Sequence, residues 1–194
     1  MNKVKSLFIV VLLIIGFNKS YGQQSIEGIL DNVISMSGNN NGSQMASLLS
    51  QSVGMIEKEA NTGNSAIKDK LLGQVSNLKG LIPLATSGKL NVGSLTKIVN
   101  TVKMLVAANR LKNMLGGGKS GLLGKGSDIT SNLNLLKGAS SVLGSGVSDQ
   151  FSKLLGSTTK SVGKLDKKGL FGNLAAGATE KKLGKLVNLV SGAL

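Results

Sequence analysis

The chain has 194 residues, 41% of them hydrophobic but only 3% aromatic, with 27 Gly, one Pro and a net charge of +14 from 23 Lys plus Arg against 9 Asp plus Glu. It contains no Cys, His or Trp. This excludes disulfides, thiol nucleophiles and zinc–thiolate sites, and removes the commonest general base and transition-metal ligand. The scarcity of aromatics also argues against the base-stacking readers of specific nucleic-acid sequence.

The first 22 residues read as an export signal. Lys3 and Lys5 precede an apolar run from Leu7 to Phe17, and small residues at Ser20 and Gly22 suit a peptidase that cuts before Gln23. Eleven apolar residues rising about 1.5 Å each span roughly half of a ~30 Å hydrocarbon core, too little for a membrane anchor. The pattern resembles a bacterial Sec signal, so the expected location is periplasmic or extracellular. Removing residues 1–22 leaves 172 residues. It also removes Lys3, Lys5 and Lys19, so the net charge falls from +14 to +11.

Residues 23–194 are expected to form one helical domain. Ile26, Ile29, Leu30 and Val33 follow the i, i+3, i+4, i+7 spacing of an amphipathic helix. The cluster Ser37 to Ser43 marks a turn, after which Met45, Leu48, Leu49, Val53 and Ile56 form a second apolar face. Asn61 to Asn64 breaks that face. Ser65 then caps a helix carrying Ile67, Leu71, Val75 and Leu78, and Gly80, Pro83 and Gly88 are read as a connector. The best-defined helix runs from an N-cap at Ser94 to about Leu115. Leu95, Ile98, Val99, Val102, Leu105 and Val106 form one stripe, with Leu111, Met114 and Leu115 on the other side. A helix that is apolar on more than one side belongs at the centre of its bundle.

Gly116-Gly117-Gly118 ends this helix and the composition changes. Residues 23–115 form the better-packed half. Residues 116–194 are richer in Gly and Lys, and each Gly inside a helix costs about 0.5–1 kcal/mol relative to Ala. Looser helices are expected at Asp128–Leu143 after a Ser127 cap, at Asp149 to about Val162 after a Ser148 cap, and at Thr179–Ser191. The last has Leu183, Leu186, Val187 and Val190 on one face. The fold class is therefore all-α: an irregular bundle of about six to eight amphipathic helices, glycine-rich and looser in the C-terminal half.

Catalytic patterns are weak. Gly118-Lys119-Ser120 matches the end of a phosphate-binding loop, but Asn113 replaces its first glycine and it follows a helix rather than a strand. The S-x-x-K pattern recurs at Ser76/Lys79, Ser94/Lys97, Ser157/Lys160 and Ser161/Lys164 without its S-D-N and K-T-G companions. Glu57 and Glu59 lie two apart and point different ways on a helix. Asp31 and Asn39 to Asn41 lack the carboxylate-rich loop that binds calcium. An enzymatic reading would need several of Asp31, Asp69, Asp128 and Asp149 to meet a lysine in one cleft. No enzyme, cofactor or metal site is expected.

After export the basic excess is all Lys apart from Arg110. Lys is a point charge without the guanidinium fork, so no specific nucleic-acid partner is expected. Lys164, Lys167, Lys168, Lys181, Lys182 and Lys185 are the candidates for contact with an anionic membrane surface or an acidic glycan. Phe151 and Phe171 are candidate apolar wedges, and residues 179–194 resemble cationic amphipathic membrane-active peptides. The sequence thus reads as an exported non-catalytic helical binding or structural protein with an unidentified partner. The alternative is a secreted cationic membrane-active or membrane-associated protein. Self-association into a homo-oligomer stays open.

Overall fold

In the computed structural model the described residues are 25–37, 41–63, 65–166 and 170–194. The expected export signal and its cleavage point lie outside them. The described residues form eight α-helices and one 3-10 turn, with no strand among them: α1 (Ile26–Met36), α2 (Gly42–Asn61), α3 (Ser65–Thr86), α4 (Val92–Leu115), α5 (Gly118–Leu122), α6 (Gly126–Gly138), the 3-10 turn Ser140–Val142, α7 (Ser145–Val162) and α8 (Leu170–Ala193). The architecture is the expected all-α bundle.

Each helix exists because a spaced apolar stripe finds a partner. α1 starts where the Ser25 hydroxyl accepts from the Gly28 N–H at 3.2 Å, and it buries Ile26, Ile29, Leu30 and Val33. α2 and α3, joined by a short turn, pack extensively on each other as antiparallel neighbours. Met45, Leu49, Val53 and Ile56 of α2 and Ile67, Leu71, Val75 and Leu78 of α3 are all buried. α4 is central. It packs against α1, α2, α3, α5, α6, the 3-10 turn and α8, and buries Leu95, Val99, Val102, Leu105 and Val106 together with Met104, Ala107, Ala108 and Leu111. One continuous apolar core runs from Ile26 to Val190 and draws on both halves of the sequence. Burying each Val, Leu or Ile side chain favours the fold by about 1.5–3 kcal/mol.

Several boundaries differ from the sequence reading. The α4 cap is Asn91, whose side-chain oxygen accepts from the Ser94 N–H at 2.8 Å; Ser94 is the capped residue, not the cap. The expected connector at 80–88 is helical as far as Thr86, with Pro83 inside α3. Proline removes one backbone bond there, but Leu81 and Ala85 are buried on the core side, and that packing outweighs the break. α3 is closed instead just past its end by Gly88, whose φ of +67° suits a residue without a Cβ. Its N–H donates to the Ala85 carbonyl at 3.1 Å and the Lys89 N–H to that of Leu84 at 2.9 Å, so two last-turn carbonyls are satisfied. Residues 128–143 are split at Ala139 into α6 and the 3-10 turn. Ser127 lies inside α6, and α7 begins at Ser145, before Ser148. The short α5 has no counterpart in the sequence reading.

A polar knot fixes the N-terminal helices. The Asn109 amide donates to the Glu59 carbonyl at 3.1 Å, to Glu59 Oε1 at 2.9 Å and to Thr62 Oγ1 at 3.1 Å. Arg110 reaches Glu27 Oε1 at 2.5 Å and Glu59 Oε2 at 3.5 Å, tying α1 and α2 to α4. Gly63 is required beside this knot, since a Cβ there would collide with Asn109 Oδ1.

Candidate interaction surface

α8 carries the most unusual surface of the described residues. Helical periodicity places Gly172, Ala175, Ala176, Thr179, Leu183, Leu186, Val187 and Val190 on one face, and all of them are buried. Gly172, Ala175 and Ala176 are small, Thr179 is intermediate, and the residues after it are large. On the opposite face the order of character is inverted. Leu170, Phe171 and Leu174 are 75%, 74% and 65% exposed, followed along the same face by Ala178, Lys181 and Lys185, also exposed. The first turns of α8 therefore hold their small residues in and their large apolar residues out. The later turns do the reverse.

The small inner face lets α8 lie close to its neighbours, α4, α5 and α7. Lys119 of α5 lays its stem across α8: its Cε is 3.3 Å from where a Cβ on Gly177 would project, and the residue is exposed. Lys119 thus flanks the apolar tip, a placement that sequence reading missed because it depends on the fold. Two acidic residues flank this stretch of the chain, Asp166 exposed before it and Glu180 within α8. Glu180 is half-buried off this face, and a Cβ on Gly126 would fall 2.6 Å from Asp166 Oδ2, which places the Asp166 carboxylate at the start of α6.

The sequence-selected lysines separate into three groups. Lys164, Lys181 and Lys185 are exposed. Lys167 and Lys168 lie outside the described residues. Lys182 turns inward: its Nζ donates to the Ser157 carbonyl at 3.0 Å and to Ser161 Oγ at 2.6 Å, stapling α8 to α7. Position 182 borders the buried face, beside Ala175 and Leu186, which explains the turn. Of the two candidate wedges, Phe151 is 1% exposed and belongs to the core, whereas Phe171 stands in solvent.

The catalytic patterns take up structural roles. Ser161 Oγ accepts from Lys182, not from its sequence partner Lys164, and donates to the Ser157 carbonyl at 3.2 Å. A serine nucleophile hands its proton to a base, whereas here that proton is held by a backbone oxygen. Ser157 and Ser76 likewise donate to the Leu154 and Leu72 carbonyls, at 3.0 and 3.3 Å. Glu57 pairs with Lys79 at 2.8 Å, while Glu59 joins the Arg110 knot. Asp31 pairs with Lys103, and Asp128 with Lys125 at 3.3 Å. Asp31, Asp69, Asp128 and Asp149 stand exposed on four different helices. Among the described residues no group of three or more acidic side chains is placed to hold a metal, and no helix is long and apolar enough to cross a membrane. Gly118-Lys119-Ser120 opens the five-residue α5 directly after α4.

Compared with protein-family models, with curated proteins and with solved structures, the chain matches none. The functional reading therefore rests on the surface of α8 and the chemistry around it.

Proposed function

We propose that the protein is an exported, non-catalytic helical binding protein that meets its partner through the exposed face of α8, with Leu170, Phe171 and Leu174 as the apolar contact and Lys119, Lys181 and Lys185 as the charged surround. One observation carries this reading: three large apolar side chains, two-thirds to three-quarters exposed, occupy the first turns of a helix that buries its small residues there. Scattered exposed leucines are ordinary on a protein surface, but a contiguous apolar group rimmed by charge marks an interaction site. Export is supported by the charged, apolar and small-residue order of positions 1–22. A lytic reading gains nothing from the apolar stripe of residues 179–194, because Leu183, Leu186, Val187 and Val190 are core residues in the folded chain.

The test is fractionation of the organism's cells, comparing the native chain with Phe171→Ser/Leu174→Ser. The expected outcome is a mature product beginning at Gln23, retained with the cell envelope when native and released when doubly substituted. Identical distributions for the two proteins would overturn the binding face. A product retaining residues 1–22 inside the cell would overturn export.

A further inference from the structure

We infer that the partner of the α8 face is an anionic lipid surface, on which the protein sits peripherally, with Phe171 and Leu174 entering the interface and Lys119, Lys181 and Lys185 meeting phosphate headgroups. This rests on the binding reading above and adds the identity of the occupant.

Three features favour a lipid surface. The first is shape. Leu170 and Phe171 keep about three-quarters of their surface free, so they project from the start of α8 as a convex tip. A convex tip suits a deformable medium, where aromatic and aliphatic side chains settle about 5–10 Å into the boundary between headgroups and acyl chains. The second is area. Three such side chains offer on the order of 400 Å² of apolar surface, roughly half of what each partner in a stable protein dimer buries. The third is charge. The exposed face carries Lys181 and Lys185 downstream of the tip, about 10 and 17 Å beyond Leu174 at the rise of a helix, and Lys119 beside it, against a half-buried Glu180 and an Asp166 whose carboxylate lies over Gly126. A second copy laid parallel on this face would oppose lysine to lysine, whereas an anionic leaflet attracts all of them within a Debye length. In the chain order, Lys164, Lys167 and Lys168 precede the tip with Asp166 among them, a net charge of +2 of the same sign.

The binding is peripheral and non-lytic. The long apolar stripe that a lytic helix would insert is already inside the bundle, with Leu183 and Leu186 at 0% exposure.

The chain has no Trp, so Phe171→Trp supplies a single reporter on the tip. The purified chain, residues 23–194, is titrated with vesicles of 30% phosphatidylglycerol in phosphatidylcholine and with pure phosphatidylcholine. The expected results are a blue shift of the reporter's emission with the anionic vesicles, a dissociation constant at least tenfold lower for them than for the neutral ones, and no release of trapped dye. In sedimentation with the reporter absent, Phe171→Ser/Leu174→Ser weakens binding at least tenfold. Lys181→Gln/Lys185→Gln weakens it several-fold and flattens its salt dependence. Circular dichroism of each variant verifies the fold. Absence of a shift and of sedimentation with anionic vesicles overturns the lipid assignment, as does a blue shift produced by a soluble acidic polysaccharide alone. If either result comes with envelope retention that still depends on Phe171 and Leu174, the binding face stands and only its occupant is wrong. Loss of that dependence removes the face itself.

Discussion

The two ends of α8 are built on opposite plans. From Leu170 to Ala178 the helix turns Gly172, Ala175 and Ala176 inward and leaves Leu170, Phe171 and Leu174 in water. From Thr179 to Ala193 it buries Leu183, Leu186, Val187 and Val190 and exposes Lys181 and Lys185. The second plan is how a surface helix holds itself to a core. The first gives up apolar burial that the same side chains would gain if reversed. A helix that gives up burial on one end and keeps it on the other is divided between folding and contact. The division also explains why α8 belongs to the bundle yet carries the most solvent-exposed large apolar side chains among the described residues.

The sharpest way to break that contrast is to truncate one leucine from each end. Leu186→Ala removes a fully buried side chain and is expected to cost about 2–5 kcal/mol of stability. Leu174→Ala is expected to change stability by less than about 0.5 kcal/mol. Urea unfolding followed by circular dichroism measures both, and equal losses would mean that Leu174 is as much a core residue as Leu186. A smaller effect is expected when the close-packed inner face is enlarged. Ala176 is fully buried, so Ala176→Leu overpacks the contact between α8 and its neighbours and should destabilise by about 1–3 kcal/mol; a neutral result would show that the first turns of α8 are not seated. The smallest effect belongs to the residue where the two plans meet. Thr179 is fully buried and its hydroxyl has no hydrogen-bond partner among the described residues. Replacing a buried unpaired hydroxyl by a methyl of similar shape relieves a desolvation cost, so Thr179→Val should raise stability by about 1 kcal/mol in the same assay. A loss of that size would indicate a partner for the hydroxyl.

Much of the fold is legible as spacing. The stripes of α1, α2, α3 and α4 are each written as large apolar residues three and four apart, and the central place of α4 follows from its being apolar on more than one side. The boundaries are less legible, because tertiary contacts decide them. Pro83 stays inside α3 since Leu81 and Ala85 hold that turn to the core, and the α4 cap is Asn91, three residues before the Ser94 that the sequence reading chose. The start of α8 is hidden in the sequence for a specific reason. Its inner face is Gly172, Ala175 and Ala176, which carry no large apolar signal, so the helical pattern becomes readable only at Thr179. The contact surface is half legible: Phe171 and the lysines stand out by type, but whether Phe151 or Phe171 faces water, and that Lys182 turns to Ser157 and Ser161 while Lys119 arrives from α5, depend on helix pairings that spacing does not encode.

The most direct test compares these two phenylalanines. Single-tryptophan proteins carrying Phe151→Trp or Phe171→Trp are prepared in plain buffer and their emission is titrated with iodide. The account predicts blue-shifted, protected emission at 151 and water-like, readily quenched emission at 171, both in a fully helical protein. Protected emission at 171 would contradict it, since the tip of α8 would then be covered by the protein itself.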